Sequence, residues 1–64
     1  MEQNNVYNLM HQLTQESKSL WRIQHNYLNE SVTEEEKTFW IKVAAEKESL
    51  IKELRVLLTS HINA

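Results

Sequence analysis

The sequence predicts an all-α protein, an antiparallel two-helix hairpin with helices at about residues 4–29 and 33–62, in a single domain comprising residues 1–64. Three observations support this prediction. The chain has no glycine and no proline, the residues that most often interrupt a helix. Apolar residues recur in both halves at alternating steps of three and four, as in helices that pack against other helices. The short segment between the halves fits the start of a helix.

The first helix is predicted from a stripe of positions that begins at Val6. Most members of the stripe are apolar, so it can bury one side of the helix. The stripe consists of Val6, Leu9, Leu13, Glu16, Leu20, Ile23, Tyr27 and Glu30. We place the end of this helix near Leu28 to Glu30, where Asn29 can adopt the left-handed conformation that no glycine is available to supply.

The second helix is predicted to begin near Thr33. Thr33 and Glu36 have the spacing of a capping box, in which each side chain accepts a hydrogen bond from the backbone N–H of the other residue. Glutamates at 34 to 36 also place negative charge at the positive end of the helix dipole. The apolar stripe of this helix is Trp40, Val43, Lys47, Leu50, Leu54, Leu57 and His61. The short connection makes the two helices antiparallel neighbours.

Each stripe contains one interior charge, Glu16 in the first helix and Lys47 in the second. If the chain folds back between Ser31 and Val32, residues at equal height have numbers that sum to about 63, which pairs these two charges. We predict that the pair specifies register, because a slipped alignment would leave each charge against leucine. The alternative is that Lys47 covers apolar surface with its stem while its amine reaches water. The alignment also sets Val6 opposite Leu57, Leu9 opposite Leu54, Leu13 opposite Leu50 and Ile23 opposite Trp40.

The predicted hairpin has more apolar surface than one contact between two helices can cover. Further apolar side chains flank both stripes, and we predict that they form the interface of a homodimer, in which two hairpins make a four-helix bundle. The predicted interface residues are Met10, Trp21, Leu28, Ile51 and Leu58. If the hairpin is instead a monomer, this surface fits an unidentified protein partner.

Composition argues against catalysis, cofactors and membranes. The chain has no cysteine and no glycine-rich loop to hold phosphate, and His11, His25 and His61 lack the spacing of metal ligands. We therefore expect no enzymatic activity, no catalytic residues, no cofactor and no metal. The sequence has no recognisable signal peptide or transmembrane run, so we expect a cytoplasmic protein. A net charge of −2 argues against strong binding to polyanions.

One segment of the second helix, AAEKESLIKELRVLL, resembles the metal-bearing helix of ferritin-like proteins. In that family a glutamate and a histidine three residues later ligate iron, and the preceding helix contributes another glutamate. The resemblance implies Glu16 and Glu46 as the two glutamates, whereas Ser49 stands where the histidine would be. A ferritin-like metal-binding protein is therefore one alternative function.

A chain of this length that forms a dimeric helical hairpin is similar to the Rop family of plasmid RNA-binding regulators. In that family the outer face of the first helix and its symmetry mate bind paired RNA loops. The first helix here has basic and amide side chains suited to phosphates and sugars on its outer side, namely His11, Gln15, Lys18, Arg22 and His25. RNA binding through this face is a second alternative. Our main prediction is a small non-enzymatic homodimer that acts as a protein-interaction or regulatory module.

Overall fold

The computed structural model describes residues 2–63, with side-chain surroundings for residues 4–61, and is a helical hairpin. Its first arm comprises helix α1, Glu2–Arg22, a π-helical turn, Ile23–Tyr27, and helix α2, Leu28–Glu30. The second arm is helix α3, Glu34–Asn63. The arms run antiparallel and form a rod of 47 × 14 × 14 Å. The predictions of an all-α fold and of a helical hairpin are confirmed.

The predicted capping box is present at the start of α3. The Thr33 Oγ1 accepts a hydrogen bond of 3.1 Å from the Glu36 backbone N–H. In return, Glu36 Oε1 accepts bonds from the backbone N–H groups of Thr33 at 2.9 Å and Val32 at 3.0 Å. These two backbone donors favour the ionised carboxylate, so they lower the pKa of Glu36 below its usual value. The cap fixes where the second arm begins.

The prediction that Asn29 ends the first arm in the left-handed conformation is wrong. None of the described residues has a positive φ, and the arm remains helical through Glu30. The chain leaves the helix at Ser31, whose φ of −64° and ψ of 136° are extended. Asn29 donates from Nδ2 to the His25 carbonyl at 2.9 Å, and Ser31 Oγ donates to the Tyr27 carbonyl at 2.8 Å. An extended residue therefore ends the helix without the left-handed conformation.

The π-helical turn is a feature that the sequence did not predict. Its wider hydrogen-bonding pattern links the Leu28 N–H to the Ile23 carbonyl, five residues earlier. The turn accommodates one extra residue near the end of the first arm, and this changes the direction of the side chains that follow. Tyr27 contacts Trp40 with ring centroids 4.8 Å apart. The sequence alignment predicts that Trp40 faces Ile23, which lies one turn before Tyr27, so this pairing differs from the prediction.

The core lies along the seam between the arms. The most buried residue is Ile23, at 1% exposure, and Ala44, Ile51 and Leu54 are also buried. The predicted seam of α3 is wrong at Leu50 and Leu57, which are exposed rather than buried. α3 is rotated so that Ile51 rather than Leu50 lies at the seam, and its buried residues Ala44, Ile51 and Leu54 follow one another at steps of seven and three.

Candidate functional site

The centre of the hairpin contains the predicted ion pair between Glu16 and Lys47. The Lys47 Nζ donates to Glu16 Oε1 at 2.7 Å, and Gln12 Nε2 donates to Glu16 Oε2 at 2.6 Å. Glu16 is 9% exposed and is the one charged residue classed as buried among residues 4–61. The hydrogen bond from Lys47 is the main reason that the pKa of Glu16 is lowered; burial opposes this effect. This geometry suits a structural ion pair, because both carboxylate oxygens already have donors.

The residues implied by the ferritin-like resemblance are not brought together as a ligand set. Glu16 is buried and bonded to Lys47, whereas Glu46 and Ser49 are exposed. Among the described residues, no group of three histidine or acidic side chains is close enough to hold a metal ion. The structure therefore gives no ligand set to which a metal can be assigned within residues 4–61.

One side of the hairpin has an open groove of about 610 Å³ between the two arms. The first arm contributes Ser17, Leu20, Trp21 and Gln24. The second arm contributes Glu48, Ile51, Lys52 and Arg55. We call the side of the hairpin defined by these eight residues the groove face. Ile51 is buried and Leu20 half-buried, while Trp21 is 54% exposed, so a large aromatic surface borders an open apolar depression.

The edge of the groove on α3 has both signs of charge. Glu48, Lys52 and Arg55 are exposed there. The two ion pairs found among residues 4–61 are Lys37 with Glu34 and Lys47 with Glu16, so none of the three groove charges is paired within this part of the chain. A surface with unpaired charges of opposite sign beside apolar groups can associate with a surface of complementary charge.

The five predicted interface residues differ in accessibility. Met10 and Trp21 are more than half exposed, and they lie on the same side of α1 because they are three helical turns apart. Leu28 and Leu58 are half-buried. Ile51 is 7% exposed, because it packs in the core of the hairpin. Its side chain also lines the wall of the groove. The accessible apolar surface on this side belongs mainly to the first arm.

The residues of the predicted RNA-binding face are all exposed along the outer side of the first arm, which we call the outer face: His11, Gln15, Lys18, Arg22 and His25. The His25 ring stacks on Trp21 with centroids 4.3 Å apart. Its Nδ1 lies 2.9 Å from the Trp21 carbonyl, and because a carbonyl only accepts, Nδ1 is the donor. His11 stacks less closely on Tyr7, at 6.0 Å. The outer face thus has two ring pairs and two permanent positive charges.

Comparisons of the chain with protein-family models, with curated proteins and with solved structures gave no match. Within residues 2–63, no helix combines the length and apolar character needed to cross a membrane.

Sequence reasoning missed two surface features. The first is the groove edge with its mixed charges, although the spacing of Glu48, Lys52 and Arg55 at steps of four and three places them on one side of a helix. The second is a strip of exposed apolar residues on α3 outside the groove, formed by Phe39, Leu50 and Leu57. The apolar stripe predicted for the second helix includes Leu50 and Leu57 as buried residues, so the sequence did not indicate an exposed strip there.

Proposed function

We propose that this protein is a non-enzymatic homodimer, in which two hairpins form a four-helix bundle, and that it serves as a protein-interaction or regulatory module. The observation that supports the proposal is the groove face, where Trp21 is more than half exposed beside buried Ile51, with exposed Met10 farther along the same side of α1. Exposed apolar groups clustered beside a groove are typical of interaction surfaces.

The energetics favour covering this face. A tryptophan buries roughly 150–250 Å² when fully enclosed, and about half of the Trp21 side chain is still accessible in the hairpin. Burying the remaining accessible surface of Trp21 contributes roughly 2–3 kcal/mol per copy to the free energy of association, at about 25 cal/mol per Å² of buried surface. A twofold dimer gains this contribution twice, because each copy offers the same surface to the other.

Sedimentation equilibrium over a range of concentrations tests the proposal. We expect a mass of twice the 7.7 kDa chain at high concentration. Trp21→Ala should shift the equilibrium toward monomer. Phe39→Ala is the matched control, because Phe39 is also 54% exposed but lies outside the groove. A protein that remains monomeric at millimolar concentration contradicts the proposal, and equal effects of the two substitutions argue against the groove face.

A second candidate function is RNA binding through the outer face of the first arm. The observation that favours it is that Lys18 and Arg22 are exposed and form no ion pair among residues 4–61. In a dimer the two copies would contribute four such charges. Because each phosphate contact releases counterions, binding through so few charges is weak and decreases with added salt.

An electrophoretic shift assay with two RNA hairpins that pair through their loops tests this function. We expect a shifted band at low salt that is lost when Lys18 and Arg22 are both replaced by alanine. Replacing Lys37 and Lys42, which lie on the second arm, removes the same charge and serves as the control. Equal losses in the two double variants would indicate general electrostatic attraction rather than recognition by the outer face.

A further inference from the structure

We infer that the exposed strip on α3, formed by Phe39, Leu50 and Leu57, binds an amphipathic helix of another protein that carries lysine or arginine beside its apolar residues. This inference names a partner for the protein-interaction role proposed above and rests on that role. It does not depend on the homodimer, because the strip lies outside the groove and is accessible in the single hairpin.

The strip runs along one side of α3, away from the groove. Its residues follow one another at steps of eleven and seven, which are about three and two full turns of an α-helix. Leu50 is two residues from both Glu48 and Lys52 at the groove edge, so it lies about 160° around the helix from each. Covering the groove face therefore leaves the strip accessible to another partner.

A row of carboxylates lies beside the strip. Each strip residue has a glutamate four positions earlier, about 40° around the helix and always on the same flank. These glutamates are Glu35, Glu46 and Glu53, and all three are exposed. The two ion pairs found among residues 4–61 join other side chains, so these carboxylates are unpaired within this part of the chain. Between residues 34 and 61, Lys42 is the one lysine or arginine on this flank of α3, so the flank is acidic.

The form of the strip suits a helix rather than an extended chain. It follows the axis of α3 for about 27 Å, at about 1.5 Å per residue. Both arms of the hairpin are helical within residues 2–63, so this part of the chain has no sheet edge to which a strand could add. A hollow of about 310 Å³ at the far end of the strip is lined by Lys52, Glu53, Val56 and Leu57. A hollow between side chains of one helix can receive a side chain from a second helix that packs along it.

The charge of the flank favours a basic partner over a second copy of this chain. In a contact between two strips, each copy would bring three carboxylates and one amine, so repulsion between like charges would outweigh attraction. A helix with lysine or arginine beside its apolar residues instead places a cation near each carboxylate at the rim of the contact. Its apolar residues cover the strip and exclude water from the centre.

Isothermal titration calorimetry at low ionic strength tests the inference with synthetic peptides. The probe is a helical peptide of about 20 residues, about 30 Å long, with leucines on one face and lysines on both sides of that face. We expect it to bind the wild-type chain. A peptide with glutamate in place of every lysine should bind at least about tenfold more weakly, because its charges repel the carboxylates beside the strip. A peptide of the same composition as the probe, rearranged so that its leucines share no face, should bind equally weakly.

Substitutions in the protein locate the binding site of the lysine peptide. Leu57→Ala should weaken binding about fivefold. Ile41→Ala is its matched control, because Ile41 is 58% exposed but lies about 160° around the helix from Leu57. Glu53→Lys should also weaken binding about fivefold, whereas Glu48→Lys makes the same charge change at the groove edge and should have little effect. Circular dichroism checks that every variant remains helical.

Equal binding of the lysine and glutamate peptides, or equal effects of Leu57→Ala and Ile41→Ala, overturns the inference. A strip variant that lowers the solution mass of the chain without peptide also overturns it, because a second copy then occupies the strip. Sedimentation equilibrium of the wild-type chain measures the homodimer separately. A dimer that binds no peptide overturns this inference while the proposed homodimer stands. A monomer that binds the lysine peptide through the strip overturns the homodimer and supports this inference.

Discussion

The Nζ of Lys47 lies 2.7 Å from Oε1 of Glu16, so the two interior charges of the hairpin meet across the seam between the arms. Lys47 is half-buried and Glu16 is almost fully buried. A pair in this position contributes little net stability over an apolar pair of similar size, but removal of either partner leaves a charge without compensation. We predict that the pair favours one alignment of the arms over slipped alignments, in which each charge would face an apolar side chain.

A double-mutant cycle tests the coupling between these two residues. Lys47→Leu leaves the Glu16 carboxylate without its cation, and we expect the free energy of unfolding to fall by about 1–3 kcal/mol, less than for a fully buried pair. Glu16→Leu should also lower the free energy of unfolding, but by less than Lys47→Leu, because the amine of Lys47 can reach water. In urea denaturation, the double variant should recover most of the free energy of unfolding that the single variants lose. Additive effects of the two substitutions would mean that the residues do not interact.

Stability should fall when the solution is acidified. The pKa values of Glu16 and Glu36 are lowered in the folded state, by the Lys47 amine and by the backbone N–H groups of the cap respectively. A lowered carboxylate pKa stabilises the folded state above the unfolded value of about 4.3, and this contribution is lost as pH falls through the folded-state value. We expect thermal unfolding measured from pH 7 to pH 2 to show a declining midpoint below about pH 4.3. Glu16→Gln should reduce this pH dependence, and an unchanged profile would contradict the assignment.

The capping box at the start of α3 should make a measurable contribution to the stability of the hairpin. Thr33→Ala removes the acceptor that bonds the Glu36 N–H, and we expect a loss of about 1 kcal/mol in the free energy of unfolding. Thr33→Ser retains the hydroxyl and should lose much less. If alanine and serine give equal stabilities in urea denaturation, the hydroxyl does not contribute to the cap.

Adjacent alanines on α3 provide a test of the packing. Ala44 is buried at the seam, whereas Ala45 is exposed. Ala44→Leu adds three carbon atoms at this buried position and should lower the free energy of unfolding by about 1–3 kcal/mol. Ala45→Leu adds the same atoms in solvent and should change the stability by less than about 0.5 kcal/mol. A neutral Ala44→Leu variant would show that the arms are not closely packed at this level.

Several parts of this structure follow from local sequence. The lack of glycine and proline, with apolar residues at steps of three and four, predicts two helices of nearly equal length. The structure has two helical arms, Glu2–Glu30 and Glu34–Asn63, and the first contains a π-helical turn. Thr33 and Glu36 predict the start of α3 because a capping box needs only residues three apart. The contact between Glu16 and Lys47 could also be predicted, since a short turn limits which residues can meet.

The sequence by itself therefore determined the helical arms, the start of α3 and the central ion pair, because each depends on neighbours along the chain or on the length of one connection. Only the tertiary structure decided which side of α3 is buried. Stripes through Leu50 and through Ile51 are both apolar, and only the packing of the two arms selects the second, whose members Ala44, Ile51 and Leu54 are buried. That rotation exposes Leu50 and places Ile51 in the wall of the groove. The groove combines residues from both arms, so its shape depends on how the arms pack against each other.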